Sequence, residues 1–208
     1  MGQQIFLTPV VRILLIINIA FFIITAAIVP SLKLPLCVYY PTSEAFQPYQ
    51  VFTHMFMHDG IAHIAFNMFG LVTFGPMIEM VWKEKRFLFY YLFCGIGALL
   101  AQWAWDYYSV QNGSMPLEMA EMIPLLGASG CIYGLLVAFA MLYPNQRIGI
   151  IFIPVYVPAK YAVPAFAALE LFLGFGKFQA GVAHFAHLGG ALFGLILILF
   201  WWKKSLLK

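Results

Sequence analysis

Charge is the scarcest component of this chain. Asp, Glu, Lys and Arg make up 9% of its 208 residues, against 63% hydrophobic, whereas soluble domains carry about 25% charged and about 45–50% apolar residues. That shortage excludes an ordinary soluble domain. Cysteine is almost absent as well. Cys37, Cys94 and Cys131 are odd in number, widely spaced and without a Cys-x-x-Cys pair, which argues against a disulfide framework or a zinc ribbon and leaves them as packing residues. There is no His-Glu-x-x-His segment of the kind that holds catalytic zinc. The net charge of +3 does not gather into a basic patch, because the basic residues sit at the ends of apolar runs, so nucleic acid is not an expected partner.

What the chain does have is long apolar runs. Stretches of about 18 residues or more read as membrane-spanning helices. Six are expected, over roughly residues 10–29, 60–82, 87–108, 127–143, 159–175 and 181–202. The fold class is therefore all-α, a polytopic membrane bundle, with residues 1–208 forming one unit and no room for a separate soluble domain. The first run has only Arg12 as a charged leader and is longer than the core of a signal peptide; with further spans behind it, it reads as a retained helix. Residues 31–50 are rich in proline and aromatics, too long for a turn and too amphipathic to float free, so they are expected in the membrane interface. Residues 148–157, β-branched and punctuated by Pro154 and Pro158, read as extended or irregular.

Six spans put both termini on one side, and the charges say which. Arg12, Lys83, Lys85, Arg86, Arg147, Lys160, Lys203, Lys204 and Lys208 fall on the terminal side, nine against only Lys33 and Lys177 on the other. Positive residues collect in the cytoplasm, so the termini are expected there. The fourth and sixth helices then both begin on the outer side. Ser129 lies near the start of one and His187 near the start of the other, at similar depth.

Both residues are set among glycines, in Gly127-Ala128-Ser129-Gly130 and Ala186-His187-Leu188-Gly189-Gly190. Gly130 and Gly134 on the fourth helix, and Gly190 and Gly194 on the sixth, make two Gly-x-x-x-Gly faces, which let membrane helices approach closely. If those faces pack, serine and imidazole come within hydrogen-bond reach, the condition for activating a hydroxyl. Gly127 would serve a close backbone approach. Tyr133 shares the face of Ser129 and is placed to pack under the imidazole. His63 and Asn67, four apart on the second helix, can both donate to an oxyanion, as can the backbone amide of Ser129 at a helix start. Glu79, Asp106 and Glu170 lie at or near span ends and none is placed at the depth of His187, so the expected constellation is a Ser–His dyad without a third acid. His54 and His58 read as structural, and His184 as a loop residue.

In these residues the chain resembles the rhomboid intramembrane serine proteases, over nearly all of its length after the first helix. The matching pieces are His58 with His63-Ile-Ala-Phe-Asn67, Gly127-Ala-Ser-Gly130 with Tyr133, and Ala186-His187 followed by Gly190 and Gly194. The resemblance implies Ser129 as nucleophile and His187 as general base. It implies an oxyanion hole from His63, Asn67 and the Ser129 amide, and Tyr133 stacked on His187. It implies Glu79 in a structural polar network, residues 31–59 as a membrane-interface loop, and the fifth helix with the loop after it as gate and cap. Expected substrates are single-pass transmembrane proteins, unwound locally in the lipid bilayer, with no metal and no other cofactor. Many members carry Trp-Arg shortly before the first histidine of the second helix. Tyr49-Gln50 stands here instead, which bears on the loop's anchoring more than on the chemistry. A prokaryotic plasma membrane is the expected location, since the N-terminus has no transit-like or acylated character.

Three other classes fit less well. A catalytically dead relative would lack the serine or the histidine, and both are present. A metal or haem protein would use the histidines, which cluster near the outer surface instead of pairing across the bilayer. A small transporter would show broken helices repeated between its halves, and none is evident.

Overall fold

The computed structural model describes residues 7–150, 153–176 and 182–206. The expected start of the last helix at residue 181, and most of the loop before it, lie outside the described residues. The elements are helices α1 (Pro9–Ile23), α2 (Lys33–Leu36), α3 (Gln50–Thr53), α4 (Ile61–Gln111), α5 (Leu117–Met122), α6 (Ser129–Leu142), α7 (Ala159–Gly176) and α8 (His184–Leu206), with one antiparallel hairpin, β1 (Arg147–Ile150) and β2 (Ile153–Pro158). Residues Pro9–Ile28, α4, α7 and His184–Lys203 are long and apolar enough to cross a membrane. At 51 residues α4 is more than twice the ~20 a crossing needs, and it breaks at Lys83, whose φ of 65° is left-handed. It is therefore two spans meeting at a sharp turn. With the short α6, this gives six apolar rods.

The polar link expected over residues 83–86 is thus narrower in the molecule. Only Lys83 leaves the helical conformation, because Glu84, Lys85 and Arg86 can be solvated from a helix end as well as from a loop. Arg86 lies over the Trp201 ring at 4.0 Å and over Trp82 at 5.6 Å, a cation–π contact that ties the turn to the end of α8. The stretch after Ser109 also carries more helix than expected: α4 runs on to Gln111, and Leu117–Met122 forms α5. At the end of α1 the helix widens over Ile24–Ile28, where the Val29 amide donates to the Ile24 carbonyl at 2.7 Å. Pro30 then closes it, since proline cannot continue the ladder.

The core forms around the second rod of α4, where Phe87, Tyr90, Tyr91 and Cys94 are fully buried, with α6 and α8 packed on it. The α6–α8 crossing is backbone against backbone. A Cβ added at Gly190 would overlap the carbonyl oxygen of Gly130 and stand 2.6 Å from its carbon, and one at Gly134 would meet the Cys94 sulfur and the Gly190 carbonyl. The three cysteines are buried and free; outside the spans, burial pushes the Cys37 thiol up to about 11, so it is unreactive.

Glu79 lies on the first rod of α4 and is 2% exposed. Its carboxylate accepts from the Thr8 hydroxyl at 2.5 Å and from the Val10 and Val11 amides at 2.9 Å. It thereby satisfies the N–H groups that the start of α1 leaves unpaired and pins that helix to the bundle. Glu79→Ala is expected to lower stability by about 2–4 kcal/mol, seen as a fall in Tm in detergent, while Glu84→Ala, just past the break at Lys83, is near neutral; equal Tm values for the two would contradict this role.

Candidate active site

The interface loop brings its own anchors. Gln50 is 1% exposed; its side-chain oxygen accepts from the Gln47 amide at 3.0 Å, and its Nε2 donates to the carbonyls of Pro35 and Ala45 at 3.1 and 3.0 Å. A glutamine therefore stitches the loop at the place where an arginine was missing from the sequence. Thr53 donates to the Leu36 carbonyl at 2.7 Å, and Lys33 pairs with Asp59 at 2.6 Å, which holds the Asp59 carboxyl below its ordinary range.

That loop carries His54 and His58 to the back of the site. Both are buried, and burial pushes each imidazole down to about 4, so both are neutral at pH 7. His54 accepts the Gly127 amide through its carbonyl at 2.9 Å. Gly127 has φ +122°, a conformation open to glycine and strained for other residues. A Cβ there would also stand 2.8 Å from His63 Nε2. The expected fourth helix accordingly starts at Ser129, two residues later than its sequence suggests, after a glycine turn that lets the His63 ring lie against the backbone.

Ser129 opens α6, and its hydroxyl is hydrogen-bonded to His187 Nε2 at 2.8 Å. The Tyr133 ring stacks on His187 with centroids 4.5 Å apart and planes within 6°. Across from them, His63 Nδ1 accepts the Asp59 amide at 3.3 Å. A neutral ring that accepts at Nδ1 carries its proton on Nε2, so the atom facing Gly127 is a donor. Asn67 Nδ2 donates back to the His63 carbonyl at 2.9 Å, which occupies one of its two N–H bonds and leaves the other. His63, Asn67, Ser129, Tyr133 and His187 all line one cavity of about 960 Å³, together with Asp106 and residues of the interface loop and α5. Gly130 and Gly190, at the contact that sets the serine–histidine distance, complete the set expected from sequence.

One residue is where the sequence did not place it. Glu170, on α7 and 9% exposed, accepts the Tyr133 hydroxyl at Oε1, bonds His184 Nδ1 through Oε2 at 2.6 Å, and brings Oε1 to 3.1 Å from His187 Nδ1. The last contact is short, but His187 Nδ1 has no hydrogen-bond partner, so it is an electrostatic contact and not a hydrogen bond. His184, expected in a loop, is buried at the first turn of α8. Glu170, His184 and His187 are the one group among the described residues whose donor atoms lie close enough together, within 4.8 Å, for a divalent cation. Both carboxylate oxygens are already engaged by protein groups, which explains the cluster without one.

The sequence compares directly with known proteins. Residues 45–204 match the Rhomboid domain family. The chain belongs to the rhomboid family. A rhomboid protease of Providencia stuartii, AarA, is 31% identical over 156 residues, which is 69% of this chain and 52% of that protein. The mitochondrial presenilin-associated rhomboid-like protein of Mus musculus is 31% identical over 173 residues, 80% of this chain and 42% of that protein. The rhomboid protease GluP of Bacillus subtilis is 28% identical over 146 residues, 70% of this chain and 24% of that protein. The chain thus spans about half or less of the length of these relatives. Rhomboid membership and the apolar helices make it an integral membrane protein of a protease family.

Proposed function

We propose that this rhomboid chain is an intramembrane serine endopeptidase, a single six-helix unit using Ser129 as nucleophile and His187 as general base. The observation that carries the reading is the 2.8 Å bond from the Ser129 hydroxyl to His187 Nε2, made between apolar helices where an ionisable residue is costly unless it functions. Ser129 Oγ attacks the carbonyl carbon of the scissile bond, and its proton passes to His187 Nε2. The carbonyl oxygen becomes an oxyanion facing His63 Nε2–H, the free N–H of Asn67 and the Ser129 amide. On collapse the C–N bond breaks, and the leaving amine takes the proton from His187. Water in the cavity then gives a proton to His187 and attacks the acyl ester, releasing the acid and restoring Ser129.

The substrates are single-pass transmembrane proteins whose segment unwinds near the site, because a peptide bond inside an intact helix is shielded by its own hydrogen bonds. The lipid bilayer is the other partner, and the chemistry needs no metal or organic cofactor. The relatives are both bacterial and mitochondrial, so they give no support to the expected prokaryotic plasma membrane, and the reading is confined to an integral membrane protein. Reconstituting the chain in liposomes with a single-pass reporter tests it. Wild type should release a cut fragment and Ser129→Ala should not; a fragment from both, or from neither with folded protein, would overturn the reading.

A further inference from the structure

Glu170 is a charge placed inside an apolar helix. Most of the residues around it on α7 face outward: Leu169, Leu171, Phe172 and Phe175 are 53%, 45%, 63% and 62% exposed. A lone carboxylate among lipid-facing side chains is costly unless other groups satisfy it. Here it is satisfied by the two residues that hold the base in place. Oε1 takes the hydroxyl of Tyr133, whose ring stacks on His187, and stands 3.1 Å from His187 Nδ1; Oε2 bonds His184, three residues before His187 on the same helix.

We infer that Glu170 is a positioning residue of the reaction, a third member behind Ser129 and His187 that fixes the imidazole with its proton on Nδ1 and stabilises the imidazolium formed during attack. This rests on the proposed protease reading and deepens it. Serine O–H can donate to Nε2 only if the ring proton is on Nδ1, and a carboxylate beside Nδ1 favours that tautomer. When the serine proton arrives at Nε2, the ring becomes a cation with an anion 3.1 Å away. Glu170 takes up no proton itself. The contact at Nδ1 is not a hydrogen bond here, and catalytic hydrogen bonds are often long or poorly aligned before substrate binds. Tyr133 therefore acts twice: its face limits ring rotation and its hydroxyl holds the carboxylate.

The groups facing His187 are Ser129 and Tyr133 from α6, Glu170 from α7, His184 behind it on α8, and His63 with Asp106 from α4 on the cavity walls. Among the described residues, only Glu170 is an anion in contact with the ring. Glu170→Gln keeps the shape and the acceptor for Tyr133 and removes the charge. Two pH profiles test the inference: kcat/KM for the reporter in liposomes, and the second-order rate of fluorophosphonate labelling, which does not depend on substrate docking. The expected result is a fall in kcat of about 10–100-fold with little change in KM, and in both profiles an acid limb moved to lower pH. A merely structural residue would lower activity without moving the limb. An unmoved limb in folded Glu170→Gln, with labelling at the wild-type rate, would overturn the inference, as would activity removed by EDTA and restored by a divalent metal. If Ser129→Ala cleaves like wild type, the protease reading itself has failed; if Ser129→Ala is inactive while Glu170→Gln is normal, only the role of Glu170 has.

Discussion

His187→Ala and Ser129→Ala are each expected to cut peptide hydrolysis by at least about ten-thousand-fold, and the double variant to be no slower than the worse of the two. The reason is that the two side chains act as one unit. The serine hydroxyl is a weak nucleophile until a base takes its proton, and the imidazole does nothing without the hydroxyl. What remains in either variant is the cavity and the oxyanion donors acting on water. Ser129→Ala removes only a hydroxyl, so its Tm should stay within a few degrees of wild type, whereas His187→Ala also removes the ring stacked on Tyr133 and should lower it further without unfolding the protein. Rates of reporter cleavage for the two single variants and the double variant check this. Losses that multiply would show two independent groups, and a His187→Ala variant within tenfold of wild type would assign the base elsewhere.

The second large effect is expected from a methyl group that touches neither side chain. Gly190→Ala places a Cβ against the Gly130 carbonyl, with the Gly130 Cα also within 2.9 Å, so α6 and α8 must part. Ser129 and His187 sit on those two helices, and their 2.8 Å bond has no slack for such a shift. A displacement of about 1 Å costs on the order of a hundredfold in rate. The stability cost is smaller, about 1–3 kcal/mol from overpacking, offset in part by the better helix propensity of alanine, about 1 kcal/mol. The signature is thus a protein that stays folded and loses activity. Cleavage near the wild-type rate in Gly190→Ala would mean that the glycine contact does not set the geometry of the pair.

These two effects come from features that could be read in the chain before any coordinates. The Gly-x-x-x-Gly faces point to which helix sides meet, and the alternation of six spans sets which helix ends share a depth. Glu170 was legible by the same rule and was overlooked because it lies late in its span. In the topology expected from the charges, α7 ends on the outer side at Gly176, and Glu170 is six residues from that end, about 9 Å. His187 is three residues into α8, which starts at that same end, about 4–5 Å from it. The two depths differ by roughly one helical turn, which two side chains can bridge. Counting each depth from the outer face would have paired them.

Other features were outside what one sequence carries. Periodicity does not say that residues 83–86 turn at Lys83 alone, because a charged segment is equally at home in a helix end or a loop. The pairing of Gln50 with Pro35 and Ala45 depends on a folded loop whose local sequence prefers no regular element. The His63 tautomer follows from an amide, that of Asp59, brought to Nδ1 by the turn before α4, and such contacts are properties of the turn rather than of the residue type.

The most direct test is labelling of the purified protein in detergent with a fluorescent fluorophosphonate, beside Ser129→Ala and His187→Ala. Such a probe bonds a serine only when its hydroxyl is activated. Labelling of wild type that both variants lose is the expected result. Labelling that persists in Ser129→Ala, or that survives unchanged without His187, would contradict a serine made nucleophilic by His187 inside the membrane.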